Sequence, residues 1–298
     1  MKVYLVDGTY ELFRHYFAVP KHQNSRKEEI GATRGVLSSV FSLLSSGTTH
    51  VAVATDHVIE SFRNLLWLDY KDSTGIPPDL LSQFGILEDA LRALGVEVWA
   101  MVEYEADDAL AAGAEICKKD RRVEQTLICT PDKDLAQCVM GDRVVQFDRR
   151  QRKLLNAQAI FEKFGVEPES IPDYLALVGD SADGYPGLSG WGPKAASTVL
   201  AYYKHLENIP DNPHEWKIQL RGADRLASTL RENRDPVYLF RTLATLVKEG
   251  PISADVDDLE WKGPAETFRD LCAVLDANDL PGRVNSLAAI RADRKREL

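Results

Sequence analysis

The chain has 298 residues, of which 44% are hydrophobic and 28% charged, and a formal net charge of −10. That length suits one large domain with an appendage or two domains, and with no apolar run near the roughly 20 residues of a membrane span and no leader-like start in "MKVYLVDG", a cytoplasmic monomer without a membrane partner is expected. Cys117, Cys129, Cys138 and Cys272 form no C-x-x-C pair, which argues against zinc and for thiols in a reducing compartment, while the acidic balance argues against nucleic acid unless many acids are gathered at a metal site.

Runs rich in Val, Ile and Leu at 3–6, 51–54, 96–99, 126–129 and 143–147 predict strands. A helix is expected to begin near Tyr10, and others at 31–46, 78–94, 105–119 and 156–164, from apolar spacing and stop residues. This alternation predicts an α/β fold, a mainly parallel central sheet flanked by helices, ending near residue 165. Beyond it come short helical pieces cut by Gly and Pro, with breaks at 208–216 and 248–256. The expected division is therefore 1–165, a sheet domain, and 166–298, a mostly helical region whose charged end "SLAAIRADRKREL" reads as a solvated face before a binding tail.

The acids fall in a pattern. Asp7 follows the first strand, Asp56 the second, and Asp132 and Asp134 the fourth. The carboxyl ends of parallel strands line the crevice where ligands bind. "VDGT" approaches the phosphatase signature D-x-D-G-T, but Leu5 stands where the nucleophile would be; as a single residue, Asp7 reads first as a helix cap. Glu105, Asp107 and Asp108 open a helix, where the dipole accounts for one or two acids and poorly for three. At least one of Asp107 and Asp108 must face packed structure, because Ala109, Leu110 and Ala111 follow. Asp180 and Asp183 sit three apart in "GDSADG", which alone would be an ordinary turn. Nine carboxylates in one crevice would repel one another unless divalent cations neutralise them. Oxygen-only ligands favour Mg²⁺ or Mn²⁺, and two ions would activate water and stabilise the leaving oxygen of a phosphodiester.

Asp7-Gly8, Asp56 with "SFR" at 61–63, "YK" at 70–71, "YEADD" at 104–108, "TPDKDL" at 130–135 and "GDSADGYPGLSGWGPKAA" at 179–196 together resemble the 5′-nuclease family: the amino-terminal domain of DNA polymerase I, bacteriophage 5′-exonucleases and flap endonucleases. The resemblance runs from about residue 2 to 245, each motif weak and the order of six specific. It implies a PIN-like sheet domain followed by a helix-three-turn-helix element, and a metal-dependent hydrolase acting on DNA with 5′ ends, flaps or gaps in replication or repair. Asp7, Asp56, Glu105, Asp107, Asp108 and Asp132 would serve one metal, and Asp134, Asp180 and Asp183 the second, with Asp132 near both. Lys71 resembles a lysine that approaches the scissile phosphate; Arg14 and Arg63 resemble residues reaching toward the 5′ strand, although either could pair with the surplus acids instead. Gly187, Gly190 and Gly192 with Lys194 would hold duplex phosphates, reading shape and not sequence, with K⁺ as a candidate ion beside them. No polymerase domain follows, so a polymerase would act in trans. Thr74 stands at a common Arg position, Gly184 at a common Asn and Ala195 at a common Thr, while Trp191 is larger than the usual aliphatic residue and is open to packing in the core or touching the DNA backbone. The alternatives are a structure-specific DNA-binding protein with weak activity and a PIN-type ribonuclease.

Overall fold

The structure, a computed structural model, describes residues 1–296; Glu297 and Leu298, at the end of the charged terminus, lie outside the described residues. In chain order its first elements are β1 (Lys2–Asp7), α1 (Gly8–Ala18), α2 (Gly31–Ser45), β2 (His50–Asp56), α3 (Arg63–Leu66), α4 (Pro78–Leu81), α5 (Gln83–Ala93), β3 (Glu97–Met101), α6 (Ala106–Lys119) and β4 (Gln125–Cys129). There follow β5 (Val144–Asp148), β6 (Lys153–Leu155), α7 (Ala157–Phe164), α8 (Ile171–Val178), α9 (Pro193–Tyr203), α10 (Ala223–Glu232), α11 (Arg234–Ala244), α12 (Phe268–Val274) and α13 (Leu280–Arg296).

Two compact units account for the chain. The first comprises Met1–Ile59, Ser73–Cys129 and the residues from Lys248 onward. Its strands are all parallel, β1 lying between β2 and β4 with β3 outside β2. Val3, Leu5, Val6, Val51 and Val53 are completely buried, as expected of strands covered on both faces, which is why they read as unbroken apolar runs. The helix expected over 78–94 is two helices. They part at Ser82, whose N–H donates to Pro78 O and whose Oγ donates to Asp79 O; serine competes in this way with the helix ladder.

Residues around Leu259 and Trp261, beyond the span of the family resemblance, brace this first unit. Val51 N–H donates to Leu259 O and Trp261 N–H to Thr49 O, at the amino end of β2, while buried Trp261 sends its Nε1–H to Leu94 O at 2.7 Å. By packing, the chain enters the second unit for its long segment at Thr130 and re-enters the first at Lys248. Arg291 in α13 is likewise engaged: it donates to the carbonyls of Leu44 and Thr48 and lies over Trp261, 4.8 Å from the ring centroid.

The second unit comprises Glu60–Asp72 and Thr130–Val247. Its core includes Leu175, Leu177, Tyr185, Trp191, Leu200, Leu230 and Phe240. A strand the sequence did not announce, β6, pairs antiparallel with β5 in the register Asp148↔Lys153 and Gln146↔Leu155. Three residues are too short for a periodic signal. Among the described residues no helix is long and apolar enough to cross a membrane.

Candidate metal and nucleic-acid site

In the first unit, acids end two adjacent parallel strands. Asp7 is buried and caps α1, its Oδ1 accepting Tyr10 N–H at 2.8 Å. Asp56 Oδ1 accepts Ala106 N–H at 2.7 Å, which ties the end of β2 to the start of α6, and Asp56 N–H donates to Thr9 Oγ1. Glu105 and Asp108 form a reciprocal capping box at that helix start. Asp108 is the member that faces packed structure, fully buried, while Asp107 is half-buried in the same first turn. The strand-end and helix-start acids are thus joined by backbone hydrogen bonds, and the capping role anticipated for Asp7 is real.

In the second unit the carboxylates crowd one another. Ligand oxygens of Asp134, Asp180 and Asp183 lie within 4.8 Å of each other, and all three residues are buried. Asp134 opens a short 3₁₀ turn after Lys133 and donates its N–H to Asp132 Oδ1 at 2.9 Å; Asp132 itself is exposed. Asp180 and Tyr185 exchange backbone hydrogen bonds, closing the loop that carries Asp183. Beneath that loop Tyr185 stacks on Phe240, 5.7 Å between centroids, and Trp67 meets Phe240 edge-on. Burial, then the charges of Asp132, Asp183 and Asp180, push the Asp134 carboxyl well above the ordinary carboxylate value. Its Oδ1 is buried without a hydrogen-bond partner.

Two lysines answer four carboxylates. Lys133 is ion-paired with Asp180; burial alone would lower its pKa, but that pair and the neighbouring acids outweigh burial and raise it. Lys71 Nζ stands 3.4 Å from Asp183 Oδ1, and its backbone N–H donates to Asp183 O. A buried oxygen-only donor set, net negative after two ammonium groups and containing an unbonded carboxylate oxygen, fits a hard divalent cation. Lys133 was missed in the sequence although it lies inside "TPDKD", because the acids around it drew the reading. Tyr185 was also missed; its phenol is buried near these acids and its pKa is raised by burial first and then by them.

The glycine-rich turn after α8 is tightly built. Gly187, at φ 68°, places its Cα so that a side chain would meet Gly179 N at 2.4 Å, and Leu188 N–H donates back to Leu177 O. Gly184, a departure from the family pattern, is demanded by space: a Cβ there would fall 1.9 Å from Asp69 O. Gly192 caps α9, Pro193 takes the first helical position and Lys194 follows, exposed. Beside Gly190 stands the guanidinium of Arg225, within about 4 Å of where a side chain would begin, a cation that sequence spacing did not reveal because it comes from α10. Trp191 belongs to the core, buried, with Nε1–H donating to Leu226 O at 3.2 Å.

Arg63, expected to reach toward the 5′ strand, is engaged by carbonyls of its own unit. Only 1% exposed, it donates from Nε to Leu243 O at 2.9 Å and from Nη2 to Thr245 O at 3.1 Å, clamping the end of α11. Arg14 pairs with buried Glu11 at 2.5 Å.

Comparisons with known proteins agree in direction. The family described as "5'-3' exonuclease, N-terminal resolvase-like domain" matches residues 2–165, and "5'-3' exonuclease, C-terminal SAM fold" matches 166–267. The 5'-3' exonuclease of Aquifex aeolicus is 31% identical over 264 residues, covering 88% of this chain and 87% of that protein. DNA polymerase I of Pseudomonas aeruginosa is 34% identical over 282 residues, 91% of this chain but only 30% of the polymerase. Among solved structures, T5 5'-exonuclease with bound zinc superposes with a TM-score of 0.63 at 17% identity, covering 97% of this chain and all of that one. The catalytic core of Rad2 in complex with DNA substrate gives 0.60 at 15% identity, covering 97% and 91%. At such identities these two likenesses concern the fold.

Proposed function

The chain belongs to the 5'-3' exonuclease family, and on that premise we propose that it is a divalent-metal-dependent nuclease hydrolysing phosphodiester bonds in DNA with 5′ ends, flaps or gaps. The observation that carries this reading is the buried trio Asp134, Asp180 and Asp183, with an unbonded carboxylate oxygen in its midst. These three, with Asp132, would hold one ion; Asp7, Asp56, Glu105, Asp107 and Asp108 would supply the ligands of another. Mg²⁺ or Mn²⁺ suits such donors, and two ions, when bound, supply an activated water and neutralise charge on the phosphoryl group.

The chain's own groups do the rest. Lys71, which contacts Asp183 through both backbone and ammonium, would meet negative charge that develops on the scissile phosphate. Lys133 keeps Asp180 oriented. Duplex phosphates would rest on the N–H groups at the start of α9, with Lys194 and Arg225 flanking the turn, and K⁺ is a candidate ion there. Such contacts fix the backbone without reading bases, so preference should follow substrate shape. A cytoplasmic monomer working beside a polymerase in DNA replication or repair completes the proposal.

The test is a cleavage assay on 5′-labelled flap, nicked and single-stranded DNA, each with Mg²⁺, Mn²⁺ or excess chelator, and on an RNA flap of the same shape. Shape-dependent cleavage of DNA that chelator abolishes is expected. Turnover that persists in chelator, or confined to RNA, would sink the reading.

A further inference from the structure

A run of four cations in five residues with no acid among them, "RRQRK" at 149–153, forms the tip of the β5–β6 hairpin. Arg150, Arg152 and Lys153 are exposed there. Their side chains make no hydrogen bond or ion pair among the described residues, whereas Arg234 and Arg241 of the same unit are engaged with acids. The tip has a defined shape: Gln151 N–H donates to Asp148 Oδ1 at 2.9 Å, and Arg152 occupies the left-handed region at φ 53°. That conformation suits glycine or asparagine and is strained for a long side chain. Folding therefore does not explain why arginine stands there.

A fourth cation extends the patch. Lys163, in the last turn of α7, is exposed as a residue and places its Nζ over the Phe164 ring, 4.8 Å from the centroid. Partial burial of the ammonium, then the charge of Lys153 and more weakly that of Lys133, hold its pKa below the ordinary lysine value, although Asp132 and Asp148 pull the other way. Unpaired like charges held in each other's field are repulsive in the free protein and favourable only against an anion.

We propose that Arg150, Arg152 and Lys153 at the hairpin tip, with Lys163 beside them, form a second phosphate-binding surface of this chain, distinct from the glycine-rich turn, which grips the sugar-phosphate backbone of the substrate outside the carboxylate cluster. The proposal deepens the nuclease reading and rests on it for the identity of the anion. Its chemistry is shared by the duplex and by a single-stranded flap. Backbone contacts of this kind add affinity without sequence preference, and each neutralised duplex phosphate contributes about 0.9 to the slope of log affinity against log salt.

The experiment compares the full chain with the triple variant Arg150→Gln, Arg152→Gly, Lys153→Gln, by fluorescence anisotropy in excess chelator so that nothing is cut, on a 5′-flap duplex, the same duplex without flap, and the flap strand alone, at several salt concentrations. We expect affinity to fall about 10- to 100-fold at 0.1 M salt and the salt slope to drop by about 2 to 3. Loss on both duplexes assigns the surface to duplex phosphates; loss on the flapped duplex and the single strand only assigns it to the flap. Unchanged affinity and slope on all three DNAs overturn the proposal. Arg152→Gly alone controls for folding: glycine fits φ 53°, so its melting temperature should hold or rise while its affinity falls several-fold, and loss of affinity only in variants that also melt earlier would count against the surface. Cleavage by the unaltered chain in Mn²⁺ is scored separately, so a chain that binds through the hairpin but does not cut would refute the nuclease reading and leave this surface standing.

Discussion

The two units treat their acids in opposite ways. In the first, Asp7, Asp56, Glu105 and Asp108 are joined to backbone N–H groups at helix starts, where the dipole favours negative charge. In the second, Asp134, Asp180 and Asp183 are buried against one another, and Asp134 carries an oxygen without a hydrogen-bond partner among the described residues. Acids of the first kind would be explained by folding alone. Those of the second kind cost stability unless a cation relieves them, and that asymmetry makes the second unit the stronger witness for metal.

The contrast can be broken by substitution. Asp134→Asn should reduce single-turnover cleavage by at least about 10³-fold, comparable with loss of one essential electrostatic partner, while the metal-free variant melts no earlier than the parent and resists acid and base more evenly. The sign follows from linkage: a carboxyl whose folded pKa is raised binds more protons folded than unfolded, so the stability it lends is present at low pH and is lost as pH climbs from the ordinary carboxylate value through the raised one, by at most about 1.4 kcal/mol per pH unit. Denaturant melts across pH in chelator check this; a parent whose stability rises steadily over that window would contradict the crowding.

Lys71→Ala should slow cleavage by roughly 10² to 10³, with flap affinity in chelator changed only a few-fold. An unaltered rate would return Lys71 to ordinary surface. Arg63→Met should cost about 3 kcal/mol in denaturant melts, because two carbonyls at the end of α11 lose a buried donor; loss of DNA affinity with normal stability would instead restore the contact role.

The smallest effect sharpens the first unit. Asp7→Asn keeps a capping oxygen and should shift stability by less than about 0.5 kcal/mol, whereas Asp7→Ala should cost about 1 kcal/mol. If the asparagine variant folds normally yet cuts poorly, Asp7 is a ligand as well as a cap. If both variants cut normally, the cap is its whole role.

Much of this was legible in the residues. Five strands and the principal helices followed from apolar runs and stop signals, because parallel strands between helices must be apolar on both faces. The acids were legible as strand-end residues for the same reason. Pairing across long separations was not: Arg63 and Arg14 looked alike in the sequence, yet one clamps Leu243 and Thr245 and the other binds Glu11. Gly184 stood out only as a departure from a common Asn, and the carbonyl of Asp69 beside it shows that no side chain fits. The hairpin cations escaped notice because β6 is too short to carry a period.

The sequence by itself determined the order of strands and helices and the carboxylate chemistry, since local periodicity and residue type decide those. Tertiary structure alone decided which acids crowd and which cap, which cations are sealed in carbonyl cages and which stand in water, and that Leu259 and Trp261 return to the amino end of β2. Those outcomes depend on what distant segments bring within a few ångströms, and no spacing along the chain encodes that distance.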